Sequence, residues 1–206
     1  VKLAIGIPTL SPYVHLKFWK SWHQLEKPAD HFLVISTGSI TSVARNRIVE
    51  QARSKGCTHI MWFDQDMTFP KDTITKMINS DKDIICGLYF QRDKPHIPAG
   101  MISINEREYS RITKEQIKSN ETIEVDAAGT GCMLVKMEVF EKMGYPWFDY
   151  EVYEGYTWYT EDVVFCRKAK KLGYKIWYDT SIKCGHIIDY ELTEKDWNGE
   201  LVATQS

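Results

Sequence analysis

Asp64 and Asp66, one residue apart in WFDQDMTF, follow directly on the apolar run IMWF. Carboxylates at that spacing can grip a hard divalent cation. Alternate residues of an extended segment share a direction, and a turn can bring both acids around an octahedral ion at oxygen distances of about 2.0–2.1 Å. A cation held there would neutralise a diphosphate and stabilise the charge that gathers on it as it departs. Turn capping or simple solvation explains the same two residues without any ion. A second acidic pair stands in TED, where Thr160, Glu161 and Asp162 precede VVFCRKAKK. Acids in the first turn of a helix are favoured by the positive end of its dipole. An ionised Asp162 could accept the proton of an attacking hydroxyl, with Glu161 anchoring the acceptor or the loop. Ordinary helix-end electrostatics is the plain alternative. His186, in KCGHII, offers a neutral imidazole to a metal, with His15 and His96 as alternatives. Asp64, Asp66 and His186 are too few for a closed cage, which leaves positions for two diphosphate oxygens and a water.

These residues need elements to hold them. KLAIGIP (2–8) reads as a buried strand stopped by Pro8, whose missing N–H would break a ladder. HFLVIS (31–36) and THIMWF (58–63) read as further strands. Between them SVARNRIVEQARSKG predicts a helix with Ser42 as its cap, Val43, Ile48 and Ala52 turned to a core, and Gly56 as its stop. KDTITKMINS predicts a short helix, and DIICGLYF a strand from Asp83. The order β, α, β, α, β predicts a mostly parallel sheet flanked by helices, with ligands gathered beyond the carboxyl ends of the strands, where the two aspartates emerge. Downstream, AGMISI, TIEVDA, GCMLVK and YKIWYD read as strands, and MEVFEKMG and TEDVVFCRKAKKLGY as helices, the latter capped by Thr160. Residues 106–121 form a polar excursion, a hairpin or flap. Gly129, Thr130 and Gly131 in GTGCML fit a tight bend or a close approach to a ligand. The segment lacks both the lysine of a P-loop and the full three-glycine dinucleotide fingerprint.

The 206 residues are 43% hydrophobic and 26% charged, with a formal net charge of -2, which excludes a disordered or fibrous chain and disfavours a nucleic-acid partner. The apolar stretches are too short for a membrane span, and VKLAIGIPTL reads as a strand rather than a signal peptide, so the expected location is cytoplasmic. Five cysteines without a CxxC pair suit reduced, packed thiols. No linker or repeat divides the chain. The expectation is one domain over 1–206, with a nucleotide-binding half of about 1–100 and an acceptor-side half of about 101–206. The aromatic segment YPWFDYEVYEGYTWYTED (145–162) is either a core edge or a wall that stacks on a sugar.

Taken in order, AIGIPTL, SVARNRIVEQA, MWF followed by DQD, GTGCMLVKMEVFEKMG, and TEDVVFCRKAKKLGYKIWYD followed by His186 resemble a nucleotide-sugar glycosyltransferase of the GT-A type, near the broad family 2 glycosyltransferases. The resemblance runs through nearly all of the chain. It implies a GT-A-like, Rossmann-like α/β fold and a metal-dependent transfer of one sugar from a nucleoside diphosphate donor, a UDP-sugar favoured, to a hydroxyl of a small-molecule, glycan or protein acceptor. By position it implies that Pro8 and Thr9 open the nucleotide pocket, and that Arg45, beside Asn46, touches base or phosphate. Asp64, Gln65 and Asp66 would meet the donor sugar and Mn2+ or Mg2+, with Asp66 the firmer metal ligand and His186 the third. Asp162 would be the base of an inverting reaction, slightly favoured over a retaining one in which it orients the acceptor. Gly129, Thr130 and Gly131 would shape the pocket, and Trp147, Trp158, Tyr159 and Glu161 would meet the acceptor. A QxxRW motif is absent, which disfavours a processive membrane synthase. A nuclease or phosphatase usually needs a denser set of metal ligands. A glycoside hydrolase does not account for TED and His186 together. A non-catalytic nucleotide- or carbohydrate-binding module is the remaining alternative, and oligomeric state is left open.

Overall fold

The structure, a computed structural model, describes residues 1–105, 108–154 and 156–189, without the side chains of 156–158. In chain order the elements are β1 (Leu3–Thr9), α1 (Leu16–Gln24), β2 (His31–Thr37), α2 (Thr41–Ser54), β3 (His59–Phe63), β4 (Met67–Thr68), α3 (Thr73–Asn79) and β5 (Ile84–Leu88). There follow β6 (Met101–Ser103), β7 (Tyr109–Arg111), α4 (Lys114–Ser119), β8 (Thr122–Val125), β9 (Cys132–Lys136) and α5 (Met137–Met143). The last are β10 (Glu151–Tyr153), β11 (Tyr156–Tyr159), α6 (Glu161–Lys171), β12 (Ile176–Lys183) and β13 (Gly185–His186).

A seven-stranded sheet in the order β2-β1-β3-β9-β5-β12-β8 forms the centre. β1, β2, β3, β5 and β12 run one way; β9, inserted between β3 and β5, and β8 at the edge run the other. Both faces are covered. Leu3, Ile5, Ile7, Met61 and Phe63 pack on one side with Phe18 of α1 and Ile74 and Met77 of α3. Ala4, Ile60 and Trp62 pack on the other with Ile48 and Val49 of α2, Phe140 of α5 and Phe165 of α6. Alternate side chains of a strand point to opposite faces, so a sheet covered twice needs the unbroken apolar runs IMWF and AIGI.

Three expectations are corrected. β1 does not stop at Pro8 but runs to Thr9. Its pairing with β3 ends at Gly6↔Trp62, so by Pro8 the strand is bonded only on the β2 side and the lost N–H spoils no second ladder. α2 begins at Thr41 without a side-chain cap, Ser42 lies buried within it, and Val43 is 36% exposed. The inward stripe is Arg45, Ile48, Val49 and Ala52, the i, i+3, i+4, i+7 pattern of one helix face, with Val43 off it. Gly56, at φ +65°, does end the segment, in a left-handed conformation that costs glycine nothing. At α6, Thr160 occupies the cap position, but its hydroxyl donates to Asp162 Oδ1 at 2.5 Å instead of accepting from the helix. The sequence reading assigns no helix to Leu16–Gln24 or Lys114–Ser119, and both are helical.

Candidate functional site

Three strand ends build one rim. β3 delivers Asp64, whose N–H donates to the Gly131 carbonyl at 3.1 Å, and a turn closed by Met67 N–H to Asp64 O at 3.1 Å then swings Asp66 outward. β13 pairs antiparallel with β4, setting His186 opposite Met67, and Ile187 N–H donates to Asp66 O at 2.7 Å. These backbone bonds bring two residues 120 positions apart in sequence into contact: His186 Nε2 lies 3.3 Å from Asp66 Oδ2. Arg92, beyond the carboxyl end of β5, reaches the same oxygen at 3.1 Å. His186 Nδ1 lies 2.8 Å from the Phe90 carbonyl. A carbonyl can only accept, so Nδ1 carries the proton and Nε2 is the atom that can hold a lone pair toward the rim.

The charges follow from these contacts. Burial pulls the His186 pKa down, but the bonds to Asp66 and to the Phe90 carbonyl outweigh it and hold the imidazole above its usual value. Burial pushes the Asp66 carboxyl up, while His186 and Arg92 outweigh that and hold it below the usual range. Asp64 behaves differently. Its Oδ1 accepts from Arg45 Nη2 at 3.0 Å, and Arg45 Nε donates to Glu161 Oε1 at 3.3 Å. Arg45, expected to touch base or phosphate, is 2% exposed, and its guanidinium serves two carboxylates. Burial, joined by the charge of Asp162, lifts the Glu161 carboxyl against the opposing pull of Arg45. Glu161 is 7% exposed and braces the site from within rather than standing where an acceptor could meet it.

Other expected site residues also divide between wall and core. Pro8, Thr9, Gln65, Asp64 and Asp66 line a cleft of about 260 Å3 with Thr41 and Ala44, and the Thr9 hydroxyl donates to Gln65 Oε1. Asp64, Gly129, Tyr159, Asp162 and His186 line an adjoining chamber of about 580 Å3. Asp162 Oδ1 is fixed by Thr160 and by Val163 N–H at 2.8 Å. Gly129 is required by close approach, because a Cβ there would stand 2.0 Å from the Tyr89 hydroxyl and 3.4 Å from Asp162 Oδ2. Gly131 N–H donates to the same Tyr89 hydroxyl at 3.2 Å. Thr130 is 1% exposed and its hydroxyl has no hydrogen-bond partner among the described residues, so it supports the bend and does not face the cleft.

Asn46 and Trp147 lie in the core. The Asn46 side chain accepts from Trp147 N–H and Phe148 N–H and donates to Phe148 O at 2.8 Å, tying α2 to the aromatic segment within the core. Trp147, expected at the acceptor, is 4% exposed, its indole donating to Phe140 O at 2.7 Å within the core. Trp158 was a further acceptor expectation, and its side chain lies outside the described residues. His15 and His96 line a third cavity, of about 740 Å3, together with Asp66. Among the described residues no three His, Cys, Asp or Glu side chains form a group that could hold a metal, so the expected trio of Asp64, Asp66 and His186 is not assembled here. Asp64 is drawn to Arg45, leaving Asp66 and His186 as the adjacent pair. Tyr89, Arg92 and Arg111, absent from the expected set, all line the chamber. The strand-end rule could have found Arg92, since QRD follows β5 as DQD follows β3.

The fold is shared with solved structures. A197 from STIV superimposes with a TM-score of 0.63 at 19% identity, covering 92% of this chain and 87% of that one. GalNAc-T7 with UDP, GalNAc and Mn2+ matches with a TM-score of 0.53 at 13% identity, over 97% of this chain and 45% of that one. S. aureus TarS 1-349 in complex with UDP-GlcNAc matches with a TM-score of 0.54 at 13% identity, over 93% and 60%. The chain thus spans less than two thirds of the latter two, and identities this low establish the fold alone. That fold is GT-A-like: a mostly parallel, Rossmann-like sheet flanked by helices. No family model matches the chain, and no curated protein matches its sequence. No helix among the described residues is long and apolar enough to cross a membrane.

Proposed function

We propose that the protein is a nucleotide-sugar-dependent glycosyltransferase that moves one sugar from a nucleoside diphosphate donor, a UDP-sugar favoured, to a hydroxyl acceptor, with inversion favoured. The observation that carries this reading is the shared chamber: Asp162 lines the same space as Asp64, Arg92 and His186. A general base and an anion-handling rim that line one cavity suit a displacement in which a hydroxyl loses a proton as a diphosphate departs.

The donor's nucleoside fits the cleft walled by Pro8, Thr9 and Thr41, which shares Asp64 and Arg92 with the chamber. Arg92, common to both, is the cation placed to meet the diphosphate. Asp66 and His186 fit a divalent ion in donor chemistry, since both are oxygen or imidazole ligands and the Phe90 carbonyl sets the imidazole tautomer that such a ligand needs. Mn2+ or Mg2+ bound there would supply countercharge to the diphosphate. Asp162, with Oδ1 fixed by Thr160 and Val163, turns Oδ2 toward Gly129 and takes the acceptor proton; Tyr159 walls the acceptor side.

The test is UDP binding by calorimetry with and without Mn2+, followed by UDP release from a panel of UDP-sugars with mixed acceptors. Tighter UDP binding with Mn2+ and acceptor-dependent release support the reading. Carbohydrate retention with no turnover of any sugar nucleotide would replace it with a binding module.

A further inference from the structure

We propose that Arg111 is an anion-recognition residue on the acceptor wall, so that the acceptor taken by this chamber carries a carboxylate or phosphate of its own. The word acceptor rests on the transferase reading; the anion site stands on geometry.

Arg111 ends β7, where its pairing with Met101 of β6 fixes the backbone, and it lines the 580 Å3 chamber with Asp162, Tyr159 and Gly129. Its Nη1 donates to the Pro98 carbonyl at 3.2 Å, which anchors one edge of the guanidinium. Of the two other arginines that line the cleft or the chamber or stand behind them, Arg45 sits on Asp64 at 3.0 Å and Arg92 on Asp66 at 3.1 Å. Arg111 has no ion pair among the described residues. Burial holds its pKa below the usual arginine value, with the charge of Asp162 the leading opposing influence. A half-buried guanidinium anchored by a neutral carbonyl keeps several N–H donors in a fixed fork, the geometry that takes a carboxylate or phosphate through two parallel bonds.

Position separates this site from the donor's diphosphate. Arg92 lines the nucleoside cleft, the chamber and the outer cavity, whereas Arg111 lines the chamber and not the nucleoside cleft. The aspartate whose charge reaches Arg111 is Asp162, not Asp64 or Asp66. An anion held by Arg111 therefore sets its bearer on the side of the chamber where the proposed base stands.

The experiment titrates inorganic phosphate into the full chain, 15N-labelled and saturated with UDP and Mg2+, and follows the Arg111 side-chain Nε–H resonance and the Gly129 amide by NMR. Arg111→Lys identifies the side-chain resonance by its loss. Both signals are expected to shift with phosphate while UDP stays bound, and in Arg111→Gln the Gly129 response should weaken by about tenfold or more in half-saturating concentration. An Arg111 resonance that answers UDP alone, and phosphate no further, would assign the residue to the donor and overturn the proposal. A resonance unmoved by either also overturns it. If UDP does not bind at all yet phosphate moves Arg111, the anion site stands and the donor reading fails.

Discussion

The two acidic motifs divide their work in the same way. In DQD, Asp64 meets Arg45 at 3.0 Å, while Asp66 meets His186 at 3.3 Å and Arg92 at 3.1 Å. In TED, Glu161 meets Arg45 at 3.3 Å, while Asp162 lines the chamber. One member of each motif is tied to a single buried arginine and the other is not, although Asp64 keeps a face on both the cleft and the chamber. Arg45 thereby links the end of β3 to the start of α6, holding the rim and the proposed base in one frame. Its Nη1 lacks a partner among the described residues, so the two carboxylates are its main compensation for burial. Acids that look equivalent along the chain thus differ in what each could do, because only one of each pair faces the arginine.

The sharpest way to break this division is through the open acids. Asp162→Asn should lower transfer by about 10²–10⁴-fold while leaving UDP affinity as it was, measured by single-turnover kinetics beside calorimetry. A variant that transfers normally removes Asp162 from the chemistry. The next effect is structural: Arg45→Ala leaves Glu161 uncompensated in the interior and should cost about 3–5 kcal/mol in urea unfolding. A loss comparable to that of an exposed ion pair would show that the two motifs are not held in common. Smaller again, Asp66→Ala should abolish the Mn2+-dependent gain in UDP affinity, a change of about tenfold or more, whereas Asp64→Asn should keep that gain and lower stability. The reverse pattern would exchange the roles of the two aspartates.

The smallest effect is in pH. The folded pKa of His186 is raised, so its contribution to the stability of metal-free protein is fully present below about pH 6.5 and fades as pH rises through the raised value. Thermal melts in EDTA should show that decline, and His186→Gln should flatten it. With Mn2+ the trend reverses for ligand binding. A protonated Nε2 cannot coordinate, so UDP affinity in Mn2+ should weaken as pH falls through the same value.

Much of the scaffold was legible because each strand covered on both faces must be apolar at every position, and AIGI, IMWF and DIICGLYF carry that mark. Gly56 after α2 and Thr160 before α6 are similarly local signals. α1 was hidden because Phe18 is its only buried residue, and Leu16 and Trp19 lie exposed, which blurs the helical stripe. The acids that hold Arg45 are hidden for a related reason: on the inward face of α2 it gives no local sign of its two partners, 19 and 116 residues away. The antiparallel insertion of β9 between β3 and β5 likewise rests on pairings that no local pattern announces.

By itself the sequence determined the main strands and helices, α1 and α4 apart, that a sheet covered on both sides joins them, and that acids cluster at two element ends. Periodicity, proline and glycine limits, and helix-end charge act over a few residues, so they are written locally. The tertiary structure alone decided which acid faces Arg45, that His186 stands against Asp66 through the β4–β13 pairing, and that Tyr89 fills the space beside Gly129. Those outcomes depend on strand order and on packing between distant segments, where a side chain's partner is set by geometry across the fold and not by its neighbours in the chain.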